Sequence, residues 1–191
     1  MSLFNSLKSS TLLSRFRRDE SGSILVELAV SIPLFLTLLT GVVEVGNYLL
    51  MTLKVQHTVI SVSDLVTRDE DITEGVMADI FQAVPQIMAP FPTGERSVAI
   101  VSAISQNADT PASIFWQRAG GGSYDAASTF GAEGDPVELP AGLTLRDNET
   151  ILATEVYYRY EPLVFDFILP KTIRKVAYFR PRIGSLQEIE P

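Results

Sequence analysis

Hydrophobic positions are unevenly spread along this chain. Residues 23–53 read SILVELAVSIPLFLTLLTGVVEVGNYLLMTL, a nearly unbroken apolar run with no basic residue and only Glu27 and Glu44 as acids. A helix of 31 residues extends roughly 46 Å, whereas the hydrocarbon core of a bilayer needs about 20 residues. The pattern predicts a membrane-spanning helix that projects on both sides and continues to about Arg68. It is longer than a conventional signal-peptide apolar region of about 7–15 residues, and no A-x-A-like site follows it. Val45, Leu49, Leu53, Val59, Val62 and Val66 recur at spacings that mostly keep one stripe, so the emergent half is expected to carry a packing face.

Beyond the run, the periodicity changes. Asp71 followed by Glu74 reads as a capping box opening an amphipathic helix from 72 to about 84. Its face is Ile72, Val76, Met77, Ile80, Phe81 and Val84, and Pro85 is expected to close it. Residues 89–95 (APFPTGE) read as an extended linker. Four segments then carry strand signals: 97–104, 113–118, 149–160 and 173–180, with a short apolar link at 163–169. The expected fold class is α+β: a long N-terminal membrane-spanning helix, a second amphipathic helix and a small antiparallel sheet of about four strands. The division expected is a basic leader at 1–22, a transmembrane and emergent helix at 23–68, and an extracytoplasmic α+β domain at 69–191.

Charge sets the orientation. Lys8, Arg15, Arg17 and Arg18 precede the run, and the acids Asp69, Glu70, Asp71 and Glu74 follow it. The positive-inside bias puts the N-terminus in the cytoplasm and the rest outside, which in a bacterium is the periplasm. The chain has 191 residues, a net charge of -8, one histidine and no cysteine. Thiol catalysis, disulfides, zinc fingers and iron–sulfur sites are thereby excluded. The acidic balance argues against nucleic acid as a partner, since phosphate binding rests on Lys and Arg.

Four positions in or beside the run stand out. A charge at Glu27, inside apolar sequence, costs roughly 2.5–3.5 kcal/mol unless hydrated at the interface or paired. Cleavage of the Gly22–Ser23 bond would supply a partner, because the new α-amine of a neighbouring, staggered subunit could neutralise Glu27. Pro33 lacks an N–H, so the Ala29 carbonyl loses its helical partner and the helix has a candidate hinge, with Ser31 and Thr37 near enough to compensate; an ordinary membrane-helix proline is the competing reading. Glu44 is placed at the outer interface as a solvated boundary residue. His57 is expected to be an exposed helical residue.

Basic residues, Gly22, four mostly apolar residues and Glu27 (G-SILV-E) resemble the processing site of type IV pilins and pseudopilins. The longer string RDESGSILVELAVSIPLFLTLLTGVVEVGNYLL, with Gly22, Val26-Glu27, Pro33, Gly41, Glu44 and Gly46, resembles the TadE-like family of tight-adherence (Tad) pilus pseudopilins. Leu28 departs from the pattern, where an aromatic is frequent. The resemblance covers about residues 17–66. It implies a substrate of a membrane-embedded prepilin peptidase cutting after Gly22, in a bacterial inner membrane. It further implies a structural component or assembly factor of an adhesive pilus, with other pilins, pseudopilins and Tad assembly proteins as partners.

The remaining features are weaker. Residues 119–142 are rich in Gly, Asp, Glu and Ala, and are expected to form a mobile surface or subunit-contact loop without a core of their own. Their glycines fit neither a P-loop nor a dinucleotide fingerprint. Asp125, Glu133, Asp135 and Glu138 have no D-x-D-x-D-G register for calcium. Lys171, Arg174, Lys175, Arg180 and Arg182 read as a solvated face. No catalytic, cofactor-binding or metal-ligating residue is identified, and no cofactor is expected. The chain therefore reads as a structural assembly protein rather than an enzyme, with an uncleaved single-span envelope protein bearing a periplasmic binding domain as the alternative.

Overall fold

A computed structural model describes residues 21–68, 71–107, 110–164 and 167–190; most of the leader expected at 1–22 lies outside them. Helix α1 (Ser21–Val66) is followed by α2 (Glu74–Met88), a 3-10 turn (Gly94–Arg96) and four strands: β1 (Ser97–Gln106), β2 (Ser113–Gly120), β3 (Glu149–Tyr160) and β4 (Lys171–Phe179). The strands form one antiparallel sheet in the order β2-β1-β3-β4. The fold is α+β, as the alternation of periods predicts. By internal contacts the chain divides into two units with the boundary between Glu44 and Val45, inside α1.

In the first unit, α1 is apolar and exposed. Ile24, Leu25, Val26, Leu28, Val30 and Ile32 open a run of outward-facing large side chains that continues through Val43. The helix passes Pro33 without interruption. The Thr37 hydroxyl donates to the Pro33 carbonyl at 2.8 Å, one turn back along the helix.

In the second unit, α1 packs on the sheet through Met51, Val55, Val59, Val62 and Val66, all fully buried. Each such side chain contributes roughly 1.5–3 kcal/mol. This corrects the expected stripe, because Val45, Leu49 and Leu53 are exposed. The sequence here is apolar on every side, so periodicity alone cannot choose a face. The buried line is also the one that carries small polar residues: Thr58 and Ser63 return their hydroxyls to the carbonyls of Lys54 and Val59, at 2.8 and 2.7 Å, and are buried without an unmet donor.

Helix α2 differs from expectation at both ends. Its cap is Thr73, not Asp71, and the Thr73 hydroxyl accepts the Val76 N–H at 3.2 Å. Pro85 lies inside the helix, which runs on to Met88. The missing N–H leaves the Phe81 carbonyl without its usual donor, but Val84 and Met88 on either side of the proline are fully buried in the core. The helix ends at Ala89, which precedes a cis bond to Pro90. Lys54 ties the two helices, its ammonium donating to the Ile87 carbonyl at 3.1 Å.

Both faces of the sheet are covered. Toward the helices point Ala99, Val101, Ala103, Leu152, Val156 and Tyr158. The opposite face carries Ile104, Ile151 and Ala153, and beside them Val98, Ile100 and Tyr157. What covers this second face is the segment between β2 and β3, which corrects the expectation of a loop too polar for a core. Val137 is buried, and Phe130, Leu139, Leu143 and Leu145 pack around it. These few apolar residues, dispersed among Gly, Asp and Glu, all serve one surface.

The glycines at the start of that segment are steric. A Cβ on Gly120 would sit 2.5 Å from the Phe81 ring, and one on Gly121 (φ +74°) would sit 2.8 Å from Val84. They let the end of β2 press against α2. In β2, Ala103 pairs with Trp116 and Ile104 with Ile114, so Phe115 is an extra residue and the strand switches face there. Trp116 is thereby turned into the main core, where its indole N–H donates to the Leu186 carbonyl at 3.0 Å.

Candidate assembly site

Gly22 and Ser23 occupy the first turn of α1, where backbone N–H groups have no intrahelical acceptor. Gly22 is exposed, and a Cβ added to it would meet nothing within 4 Å. Glu27 lies one turn beyond Ser23. The i, i+4 spacing puts the two on the same helix face, and Glu27 is exposed among apolar neighbours. Among the described residues, no ion pair or hydrogen bond reaches its carboxylate. Pro33 follows about a turn and a half later, with the Thr37 hydroxyl on its carbonyl. Ser23 and Glu27 thus share one helix face near the start of α1, Gly22 precedes Ser23 in the chain, and Pro33 stands apart from them.

Two single-residue expectations are decided by burial. His57 is exposed, as expected. Glu44 is fully buried, so it is not the solvated boundary residue that its sequence position suggests. Its surroundings, unlike its place along the helix, are not encoded in neighbouring residues.

A second charged centre went unnoticed in the sequence. Glu155 sits mid-strand in β3, on the loop-covered face, and is fully buried. The Arg174 guanidinium of β4 donates to it through Nε at 2.7 Å. Thr129 donates both its hydroxyl, at 2.9 Å, and its backbone N–H, at 3.3 Å. The Ser128 hydroxyl makes a further, short contact. The Tyr157 hydroxyl is 3.0 Å from both this carboxylate and the Ala127 carbonyl, with one proton to share between them. Burial pushes the Glu155 carboxyl upward, but the donors from Ser128, Arg174 and Thr129 outweigh it and hold its pKa below the ordinary glutamate range. Chemically, this is a clamp that fastens the covering segment to the sheet. The available signal was a lone acid in the apolar strand ETILATEVYYRY, whose two-residue alternation puts it on the same face as Ile151, Ala153 and Tyr157.

Among the basic residues near the C-terminus, Lys171, Arg174, Arg180 and Arg182 are exposed, in keeping with a solvated face, yet each has a partner within the chain. Arg174 serves Glu155, Arg180 is 3.3 Å from Glu149, and Arg182 pairs with Asp64 of α1. Lys171 stands over the Tyr48 ring, 4.4 Å from its centre. Arg118 joins β2 to α2 through Glu74 and also approaches Glu133 at 3.5 Å. Asp135 accepts the Ala132 N–H at 2.8 Å. Among the described residues, no group of three or more His, Asp or Glu side chains is placed to hold a metal ion.

Comparison with known proteins reaches one end of the chain. Residues 22–61 match the family model described as TadE-like protein, the family that the N-terminal motif resembles. The matched stretch begins at Gly22 and takes in Ser23, Glu27, Pro33 and the start of the packed half of α1. No curated protein and no solved structure matches the chain.

Proposed function

We propose, from the TadE-like match over residues 22–61, that this chain is a pseudopilin or minor pilin of a Tad-type adhesive pilus. It is a structural component or assembly factor rather than a catalyst. The first half of α1 spans the bacterial inner membrane, the N-terminus is cytoplasmic and the α+β body is periplasmic, from where the subunit passes into the fibre. A prepilin peptidase cuts between Gly22 and Ser23. The observation that carries this reading is the coincidence of the family match with a helix whose large apolar side chains face outward from Ile24 to Val43. Such a surface is stable only in lipid or among the helices of other subunits.

Processing changes the electrostatics of that helix. Removal of residues 1–22 takes away four basic and two acidic side chains, so the net charge goes from -8 to -10. It also creates an α-amine at Ser23, a group that can carry a positive charge. Placed one turn from its own Glu27, or beside the Glu27 of a staggered neighbour, that amine neutralises the exposed carboxylate. An unmatched Glu27 in an apolar bundle is costly, so the pair favours one register between incoming subunits. Pro33 supplies a hinge as the helix leaves the bilayer.

Intact mass and N-terminal sequencing of the protein from its native membrane test the reading. A chain beginning at Ser23 is expected. A chain that keeps the basic leader would favour the uncleaved single-span envelope protein instead. In the same cells, Glu27→Ala is expected to leave membrane insertion intact and lower the number of fibres; normal fibre counts would remove the amine–carboxylate pairing.

A further inference from the structure

We propose that the loop joining β3 to β4 enters the headgroup layer of the bilayer through Leu163, Val164, Phe167 and Leu169, giving the body a second foothold beside its helix. The proposal rests on the membrane-spanning reading of α1 and concerns a surface outside the TadE-like match.

The strand directions fix where the loop lies. Tyr160, the last residue of β3, packs edge-on against Tyr48 of α1 with ring centres 5.1 Å apart. Lys171, the first residue of β4, stands over the same Tyr48 ring, 4.4 Å from its centre. The far end of β4 leads to Arg182, which pairs with Asp64 and donates its backbone N–H to the Thr67 carbonyl. Strand β4 therefore runs alongside the part of α1 from Tyr48 to Asp64, in the same direction. The 161–170 loop lies at the end of the body where the chain arrives from the apolar run, and Arg182 lies at the opposite end.

The surface chemistry at that end suits lipid. Leu163 is 64% exposed and Leu169 71%, with Val164 and Phe167 about half exposed between them. Four large apolar side chains turned to solvent within seven positions mark a surface for apolar contact. The neighbouring Ile168 packs on the main core and Tyr160 at the loop's root is buried. Leu49, Leu50 and Leu53 of α1, close to Tyr48 in sequence, are exposed as well. Tyr48 and Lys171 supply the aromatic ring and snorkelling cation that favour a water–lipid boundary.

The dimensions agree. Glu44 lies 21 residues after Ser23, about 32 Å of helix, against a hydrocarbon thickness of about 30 Å. Tyr48 is about 6 Å further on, within a headgroup layer of roughly 5–7 Å. The ten residues between Tyr160 and Lys171 reach up to about 16 Å at full extension, enough chain to cross the headgroups from beside Tyr48.

The chain has no cysteine, so a single introduced one carries a unique label. The full-length protein would be reconstituted in phosphatidylethanolamine–phosphatidylglycerol vesicles with an environment-sensitive fluorophore on Leu169→Cys, and separately on Leu36→Cys and Ile183→Cys. Nitroxide-bearing lipids, shallow or deep, then report depth. The expected result is a blue-shifted Leu169→Cys label quenched most by shallow nitroxides, a Leu36→Cys label quenched most by deep ones, and an Ile183→Cys label with aqueous emission and little quenching. If Leu36→Cys is quenched while Leu169→Cys behaves as Ile183→Cys does, the loop inference is overturned and the span stands. If Leu36→Cys escapes deep quenching, the spanning reading fails and takes the loop with it. A blue shift at Leu169→Cys that grows with protein density and ignores nitroxide lipids would assign the loop to a second copy, overturning the lipid assignment.

Discussion

The first half of α1 and the loop-covered face of the sheet each place a glutamate among apolar side chains, and they treat it in opposite ways. Around Glu155 the chain supplies its own donors: a guanidinium, three hydroxyls and a backbone N–H. Around Glu27 it supplies none among the described residues, and the neighbouring Val26 and Leu28 face outward. The body is a finished structure whose buried charge is compensated internally. Under the proposed function, the apolar helix is half of a structure whose other half comes from lipid, from a new α-amine or from neighbouring helices. A substitution should therefore register as lost stability in one region and as lost localisation or assembly in the other.

The largest effect expected is on insertion. Leu36→Arg puts a charge near the middle of the span at a cost of roughly 2.5–3.5 kcal/mol, so most of the protein should move to the soluble or aggregated fraction on alkaline extraction. Retention at wild-type level would break the comparison, because the run would then not be buried in lipid. In the body, Arg174→Met should lower unfolding free energy by about 2–3 kcal/mol in urea titrations of detergent-solubilised protein. That is less than a typical broken buried pair because the hydroxyl and N–H donors to Glu155 remain.

Two glycines sharpen the contrast. Gly120→Ala drives a methyl group into the Phe81 ring and should cost about 1–3 kcal/mol, visible as a lowered Tm. Gly22→Ala meets nothing, so it should leave Tm unchanged while slowing conversion to the mature mass. Equal effects on Tm would mean that the start of α1 is packed after all.

A smaller effect is expected with pH. The folded-state pKa of Glu155 lies below its unfolded value, so the unfolded chain takes up the proton first. The stabilisation is complete above the ordinary glutamate value near 4.3 and is lost as pH falls from there through the lower folded-state value. Glu74, lowered by its hydrogen bond to Arg118, acts in the same direction. Arg174→Met removes one of the donors that lower the Glu155 pKa, so the acid-induced loss should become smaller, read from urea midpoints across a pH series. The smallest effect on stability belongs to Glu27→Gln, for which an unchanged midpoint and fewer fibres are expected.

How much of this was legible in the sequence depended on whether the signal was local. The long apolar helix and the four strands follow from runs and spacings within a few residues of one another, as does the shared helix face of Ser23 and Glu27. The cap of α2 and the passage of Pro85 did not, since the core contacts of Val84 and Met88 outweigh a local breaker. The packed face of α1 was invisible because Leu49 and Leu53 are as apolar as Met51 and Val55, and only the sheet decides between them. The Glu155 centre draws on residues 127–129, 155–157 and 174, brought together by a crossover that no periodicity encodes. Apolar residues as sparse as Val137 and Leu143 become a core only when a sheet lies beneath them.

The alignment of α1 with β4 also has a mechanical consequence. A pull along the helix axis loads Met51, Val55, Val59, Val62 and Val66 together, as a shear plane, with the Lys54 and Asp64 ties in parallel. A pull across the axis would peel the same contacts one after another at a much lower force. A pull on the packed half of α1 along its axis therefore strains the body in the direction in which it yields last.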